Sequence, residues 1–284
     1  MSGGLREVQA TFWLVEAPDS LLLQSEKQPD GVGLGSFLAD GTPNVYRKPV
    51  AANRSQTFIA GAHDVRSRTF LAHIRHATAA EPDVLNTHPF EQRGRLFGHN
   101  GIVGDLHELS RRLGEHRQLI RGSTDSEHYF TLITKRIDEA GGDVGAGITA
   151  AASEMAADIS LYSLNMVLTT ATDVWALRYP ETNELWILES SAGGVAGGFD
   201  KRSASGMMRV MSDELSILPA TVIASEPMDN SPKWRMLASG ELVHINPELR
   251  VSSTIAVPDA PAHMIELAAM TSTEATAQGL EAAG

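Results

Sequence analysis

The sequence predicts an α+β fold in which stacked β-sheets are sandwiched between helices. Two observations support this prediction. Segments with strand character outnumber segments with helical spacing, and the helical segments form two groups instead of alternating regularly with strands. The chain has 284 residues, of which 42% are hydrophobic and 20% charged. That suffices for a sizeable buried core in one large domain or two small ones.

The first group of helical residues lies close to the N-terminus. Residues 10–27 have helical spacing with a break at Pro18, and Asp19 is suited to cap the second half. Strand signals follow, and the first strand ends at Asp40-Gly41, a pair that favours a hairpin turn. The predicted strands of this half are 32–38, 69–74 and 96–103, the last of them bent at Asn100-Gly101.

The second helical group precedes a series of short strands. Ser123 or Thr124 can cap its central helix, and Asp125 and Glu127 lie in the first turn, where the helix dipole favours anions. Gly141–Gly147 predicts a flexible break before the next helix. The predicted helices are 106–113, 126–139 and 148–158, the predicted strands are 163–170, 174–179, 184–189, 209–212, 221–224 and 241–245, and 191–200 is a glycine-rich loop.

Composition and charge exclude several classes of function. The formal net charge of −12 repels a phosphate backbone, so we expect no nucleic-acid binding. No apolar run reaches the ~20 residues that span a bilayer, and no basic segment followed by an apolar one marks the N-terminus. We therefore expect a cytoplasmic protein without a membrane segment. Because the chain contains no cysteine, disulfides, thiolate metal sites and a thiol nucleophile are excluded within the chain as written.

The composition changes near the C-terminus. From about residue 255 the chain is rich in Ala, Thr, Pro and Glu. We interpret residues 1–254 as the folded domain, and residues 255–284 as a tail that is mobile or forms a loosely docked helix.

Two charged residues at the ends of predicted elements are candidates for substrate binding. Arg75 ends a predicted buried strand, where a guanidinium can grip a carboxylate through two parallel hydrogen bonds. Asp125 begins a predicted helix, where its carboxylate can accept a hydrogen bond from a substrate ammonium. Together they can hold both charged groups of an α-amino acid, although each alone equally fits a structural ion pair or a helix cap.

The Asn100-Gly101 pair has the composition of an oxyanion hole. A side-chain amide beside a glycine can direct an NH₂ group and a bare backbone N–H at one oxygen. Glycine lets the backbone approach a reacting carbonyl closely. The alternative is an Asn-Gly hairpin turn, which is a common one.

Four histidines lie among these residues and are potential metal ligands or bases. His73 and His76 have opposite parity in an extended strand, so they point to opposite faces and do not form a metal-binding pair. We expect no metal and no cofactor, and we interpret the histidines, including His88 and His99, as hydrogen-bonded structural groups.

Taken in order, the polar strings of this chain resemble those of the class II glutamine amidotransferases, which are N-terminal-nucleophile hydrolases. The likeness covers roughly residues 8–250, and the ordered set is more specific than any single motif. The strings are Asp30–Gly35, Arg75–Thr78, Asn86–Phe90, His99–Gly101, Thr124–Glu127, Ala224–Pro227 and Gly240–Leu242.

The resemblance implies a four-layer αββα fold and a glutamine or other γ-glutamyl amide as substrate. It assigns Arg75 to the α-carboxylate, Asp125 to the α-ammonium, and Asn100 with Gly101 to the tetrahedral oxyanion. It also assigns Thr78 and His88 to lining or ordering the pocket. The products are glutamate and ammonia, and the ammonia goes to a separate synthase or water is the final acceptor. A homo-oligomer is compatible with the resemblance.

The family's nucleophile is the thiol of an N-terminal cysteine whose own α-amine is the base. This chain starts with Met1-Ser2-Gly3-Gly4 instead. We expect the native chain to begin about six residues upstream with Met-Cys-Arg and a few apolar residues. Two alternatives stay open. Ser2 can act as an N-terminal nucleophile, although two flexible glycines follow it, or the protein binds glutamine without cleaving it.

Overall fold

The computed structural model describes residues 1–16, 20–25, 30–75, 83–190, 199–202, 209–212, 219–266 and 270. The α-helices are α1 Leu21–Gln24, α2 Gln56–Asp64, α3 Leu106–Leu113, α4 Asp125–Glu139 and α5 Val144–Asp158. The strands are β1 Val8–Gln9, β2 Gly31–Phe37, β3 Pro43–Lys48, β4 Arg66–Ser67, β5 Leu71–Arg75, β6 Phe90–Gln92, β7 Arg95–Asn100, β8 Asn165–Thr169, β9 Val174–Leu177, β10 Trp186–Ser190, β11 Phe199–Arg202, β12 Arg209–Ser212, β13 Ala220–Ala224, β14 Arg235–Met236, β15 Glu241–Ile245 and β16 Val251–Ile255.

The larger sheet is antiparallel, with the strand order β16-β15-β9-β8-β7-β6. Its outer face is covered by α4 and α5. Phe130, Ile133 and Ile137 recur at a spacing of three and four residues, so they form one buried stripe on α4. Phe130 stacks on Phe97 of β7 with ring centroids 4.7 Å apart. This contact fixes α4 over the strand that ends at Asn100.

The second layer is built from two three-stranded sheets that residues 1–3 join. Their orders are β3-β2-β5 and β13-β10-β14. Ser2 forms antiparallel bridges with Thr69, just before β5, and with Thr221 of β13. The Ser2 N–H donates to the Thr221 carbonyl at 2.8 Å, and the Thr221 N–H donates back at 2.9 Å. The start of the chain is therefore an internal strand of this layer.

Alternating side chains pack the two layers against each other. Leu96 of β7 lies in one buried cluster with Leu71 of β5, and Val243 of β15 lies in another with Ile187 of β10. The outer face of the second layer is covered by α2, whose Phe58 packs with strand residues in a separate cluster. Helices therefore flank two stacked sheets, and the predicted four-layer αββα fold is confirmed.

Most predicted elements lie within a few residues of the observed ones, and the differences have physical causes. The first helical region forms a π-helical turn, Phe12–Glu16, and the short α1 after Ser20; Asp19 lies outside the described residues. The predicted break at 141–147 is present only at residues 141–143, because α5 begins at Val144. A Cβ on Gly147 would lie 2.4 Å from the Ile137 side chain, so this glycine permits close helix packing and is not a hinge.

The C-terminal boundary differs from the prediction as well. Residue 254 lies inside β16, which pairs with β15. The Ala262 N–H donates to Ala156 of α5 at 2.8 Å, and the Ile265 N–H donates to Leu161 at 2.9 Å. Residues 255–266 are therefore docked on the folded domain, and a separate tail beyond them stays a prediction. No helix among the described residues has both the length and the apolar character that crossing a membrane requires.

Candidate active site

The ends of β5 and β7 and the start of α4 meet at one end of the stacked sheets. The His73 ring on β5 donates a hydrogen bond from Nε2 to the His99 carbonyl on β7, at 3.2 Å. Arg75 is two residues farther along β5 and is its last residue. The strands thereby bring the Arg75 and Asn100 positions to the same end of the fold.

His88 lies beside His73 at this end of the sheets. Its ring is buried and stacks on His73 with a centroid distance of 4.1 Å, and its other side contacts the edge of Phe90. A Cβ on Gly33 would lie 1.9 Å from the His88 carbonyl, so β2 approaches this loop as only glycine allows. The predicted Asp-Gly-rich string therefore supports the loop that carries His88.

Asn100 and Gly101 do not form a hairpin turn. Asn100 ends β7 opposite Asn165 of β8, and the chain continues to α3. Among the described residues, no hydrogen bond is made by the Asn100 side-chain amide or by the Gly101 N–H, and both residues are half-buried. Two adjacent donors without a protein acceptor are what an oxyanion hole requires.

The need for glycine at position 101 has a structural cause. A Cβ there would lie 2.0 Å from the Ser163 carbonyl oxygen. The sequence interpretation placed the close approach at a reacting carbonyl, whereas the structure shows it at Ser163.

His99 is a buried anchor for this segment. Its Nε2 donates to the Ser163 carbonyl at 3.0 Å, and its Nδ1 lies 3.0 Å from the Ser126 hydroxyl. A carbonyl only accepts, so Nε2 carries the proton and the neutral Nδ1 accepts from Ser126. Burial lowers the pKa of His99, although the Asp125 carboxylate and the Ser163 carbonyl oppose that shift.

Asp125 is held by two backbone N–H groups, and the Ser126 hydroxyl also lies 3.4 Å from its Oδ1. Its Oδ2 accepts the Val103 N–H at 2.9 Å, and its Oδ1 accepts the Ser126 N–H at 2.8 Å. The cap of α4 is Thr124, whose hydroxyl accepts the Glu127 N–H, so Asp125 is not needed as the cap. A carboxylate has about four lone-pair positions, so capacity remains for a substrate ammonium.

Two residues that sequence reasoning did not select fix the loop before α4. The Glu127 carboxylate is buried and accepts the N–H groups of Arg121 and Gly122, at 3.0 and 2.6 Å. The Asn86 side-chain oxygen accepts the Ser123 N–H at 2.9 Å. Both residues belong to the polar strings that resemble the family, but the sequence did not predict that their side chains hold this loop.

Ser2 lies far from this end of the sheets. It pairs with Thr69, whereas His73 lies four residues farther along the strand, which is about 13 Å at ~3.3 Å per residue. Ser2 is fully buried and its hydroxyl accepts the Gly4 N–H at 3.2 Å, so it is held firmly and not by flexible glycines as the sequence suggested. This position weighs against Ser2 as the nucleophile.

The structure brings His88, Asn100, Gly101 and Asp125 to one region. Arg75 reaches the same end through its backbone, and its side chain lies outside the described part of the structure. Thr78 lies wholly outside the described residues.

Comparison with known proteins agrees with the fold. The family model described as "Glutamine amidotransferases class-II" matches residues 22–266. Because this match covers most of the chain, the protein belongs to the class II glutamine amidotransferases.

Individual relatives are more distant. The chain is similar to YafJ of Escherichia coli strain K12, whose assignment as a glutamine amidotransferase is provisional, with 27% identity over 75% of this chain and 83% of that protein. It is 29% identical to the probable glutamine amidotransferase DUG3 of Saccharomyces cerevisiae over 44% of this chain and 39% of the yeast protein. Two of the curated relatives are thus matched over only 33% and 39% of their own length.

A solved structure supports the same fold. The glutamine aminotransferase class-II domain protein from Silicibacter pomeroyi matches with a TM-score of 0.54 and 21% sequence identity, over 81% of this chain and 92% of that one. At this identity the likeness concerns the fold alone.

Proposed function

We propose that this domain cleaves the side-chain amide of glutamine or another γ-glutamyl amide, with a cysteine that precedes Met1 as the nucleophile. Asn100 and Gly101 bind the oxyanion, Asp125 binds the α-ammonium and Arg75 binds the α-carboxylate. The observation that supports the nucleophile's position most strongly is the register between residues 1–3 and β5.

The register is antiparallel, so paired residue numbers have a constant sum. Ser2 pairs with Thr69, and 2 + 69 = 71. Met1 pairs with Phe70 through hydrogen bonds in both directions at 2.9 Å, which gives the same sum. A strand continuing upstream therefore places the fifth residue before Met1 opposite Arg75. Our sequence-based expectation of Met-Cys-Arg and a few apolar residues assigns the cysteine to this position.

The environment of the Met1 amine also favours an upstream strand. The amine is buried and donates to the Phe70 carbonyl, as a peptide N–H does in a sheet. Burial lowers its pKa to about 5. A peptide bond at this nitrogen carries no charge and therefore avoids the desolvation cost. β5 is also the last strand of its described sheet, so its edge can accept a further strand.

In the proposed reaction the thiolate attacks the amide carbon of the substrate, after the cysteine's own amine takes the thiol proton. The negative charge passes to the carbonyl oxygen, where the Asn100 side-chain NH₂ and the Gly101 N–H donate to it. Collapse of the intermediate expels ammonia, which takes up the proton, and leaves a thioester. Water then hydrolyses the thioester, which releases glutamate and restores the cysteine thiol. The ammonia is either released or consumed by a partner synthase.

The experiment adds five residues, Cys-Arg-Leu-Leu-Val, before Met1, behind an initiator methionine that is removed. We call this form the Cys-extended chain. It should release ammonia from L-glutamine, measured by a coupled assay. A form lacking one of the two leucines is the matched control, because its cysteine falls opposite Ile74 and on the other face of the strand. A misplacement of that size should cost at least ~100-fold in rate.

Equal activity of the four-residue and five-residue forms would contradict the register. Glutamine binding without turnover by both forms would favour the alternative of a non-catalytic binding protein, which the absence of cysteine from the sequence supports. The N-terminal peptide of the native protein, identified by mass spectrometry, tests the same proposal independently.

A further inference from the structure

We propose that the His99–Ser126 hydrogen bond sets the distance between the oxyanion donors and the ammonium-binding carboxylate, and thereby selects the substrate by chain length. His99 and Ser126 are positioning residues in this proposal, because they act through Asn100 and Asp125. The inference rests on the proposed function of this site and adds the origin of its preference for a γ-amide.

Two hydrogen bonds join the segment 99–103 to the start of α4. His99 contacts the Ser126 hydroxyl at 3.0 Å, and the Val103 N–H donates to Asp125 Oδ2 at 2.9 Å. These bonds flank the Asn100-Gly101 pair on both sides. The oxyanion donors therefore lie in a short segment that two hydrogen bonds attach to Asp125 and Ser126.

Independent contacts hold the segment that carries the oxyanion donors. The His99 ring bonds to the Ser163 carbonyl, and Gly101 packs against the same carbonyl. On the other side, the Tyr129 ring of α4 meets the His99 ring edge to face, with centroids 5.4 Å apart. His99 and Ser126 are 3% and 5% exposed, so water has little access to replace their bond.

The chemical consequence follows from the shape of the substrate. A side-chain amide and an α-ammonium on one molecule are separated by a fixed number of bonds, and L-asparagine is one methylene shorter than L-glutamine. When the oxyanion donors and the ammonium-binding carboxylate are both fixed, a shorter molecule reaches only one of them. Discrimination by one methylene is typically ~10–200-fold. If the donors or the carboxylate can shift, the shorter molecule regains part of its contact with the second group.

The test is the substitution Ser126→Ala in the Cys-extended chain with its cysteine changed to alanine, which binds but does not turn over. Calorimetry gives the dissociation constants of L-glutamine and L-asparagine. We expect the ratio of the two constants to fall by ~10-fold, because only the Val103–Asp125 bond then joins the start of α4 to the donor segment, and Asp125 can shift relative to Asn100. His99→Gln retains one donor and one acceptor, and it should keep more of the ratio than Ser126→Ala does.

Thr131→Val is the matched control. Thr131 lies on the same helix, is fully buried, and accepts a hydrogen bond from Gln92 at 2.9 Å. Because the Thr131 hydroxyl also donates to the Glu127 carbonyl at 2.8 Å, this variant loses two buried hydrogen bonds, but it leaves the contact between α4 and His99 in place. Its ratio should equal that of the unsubstituted chain.

If Ser126→Ala leaves the ratio of the two dissociation constants unchanged, or lowers the affinity for both amino acids equally, the inference is overturned while the proposed function is not. Loss of the ratio in Thr131→Val as well would assign the effect to general destabilisation and would also overturn it. Binding of neither amino acid by the unsubstituted chain would overturn the inference and the proposed function together. Turnover of L-glutamine by the Cys-extended chain in parallel tests the proposed function separately.

Discussion

The two ends of β5 differ in how their polar groups are hydrogen-bonded. At the Thr69 end, Ser2, Thr69 and Thr221 are buried, and their backbones are paired across three adjacent strands. At the Arg75 end, strand pairing stops at Asn100, and the donors of Asn100 and Gly101 have no acceptor among the described residues. The fully buried polar residues thus lie in paired strands, whereas the open donors belong to half-buried residues at the proposed site.

The two ends also differ in what holds them. Backbone hydrogen bonds fix the Thr69 end, and the Thr69 hydroxyl also donates to the Thr170 carbonyl at 2.5 Å. The Ser2 side chain is therefore replaceable at modest cost. At the Arg75 end, side chains fix the backbone, as His99 does with Ser163 and as Glu127 does with Arg121 and Gly122. Substitutions at the two ends should therefore affect stability and catalysis in different proportions.

The largest effect is expected at the Thr69 end and concerns the Met1 amine. Its pKa is lowered from 8.0 to about 5 in the folded chain, so between these values the unfolded chain takes up a proton that the folded chain does not. Stability is then lost as the pH falls from about 8 to about 5, by ~4 kcal/mol in total. Urea unfolding at several pH values measures this loss.

The Cys-extended chain is the control for that measurement. Its Met1 nitrogen is an amide and does not titrate, so the difference in unfolding free energy between the two chains should grow as the pH falls. Parallel pH profiles for the two chains would show that the amine is not buried as the structure has it.

The next effect is expected at the Arg75 end, in the variant Asn100→Ala of the Cys-extended chain. Removal of one oxyanion donor lowers kcat by ~100-fold or more, and KM for L-glutamine changes little, because the bond forms in the transition state. Steady-state kinetics with Thr131→Val as the control measures both constants. A rise in KM at constant kcat would instead assign Asn100 to ground-state binding.

Much of the fold follows from local sequence patterns. The stripe of Phe130, Ile133 and Ile137 predicts α4, and Asp40-Gly41 predicts the hairpin turn between β2 and β3, where Gly41 has a φ of 84°. The start of α5 was missed because Gly145 and Gly147 lower helix propensity. Contact with Ile137 on α4 overrides that propensity, and a contact between distant residues is not visible in a local pattern.

The sequence indicated residues of the candidate site, but not the hydrogen bonds that connect them. The resemblance indicated Asn100 and Asp125, whereas nothing in the sequence joins His99 to Ser126, because these residues lie on different elements. The role of Ser163 was invisible for the same reason, since it contributes only its backbone carbonyl. A sequence indicates which side chains are chemically reactive or polar. The backbone groups that hold those side chains in place can be identified only from the fold.

The smallest effect is expected from Ser2→Ala in the Cys-extended chain. The Ser2 hydroxyl accepts only the Gly4 N–H among the described residues, and this bond is long at 3.2 Å. Its loss should cost about 1 kcal/mol of stability, and kcat/KM for L-glutamine should stay within about twofold. Abolished turnover in a variant that unfolds normally in urea would contradict this expectation, because it would show that the Ser2 hydroxyl is needed for catalysis. Retained turnover would show that the buried polar groups at the Thr69 end serve strand pairing, and that catalysis depends on the end where donors stay open.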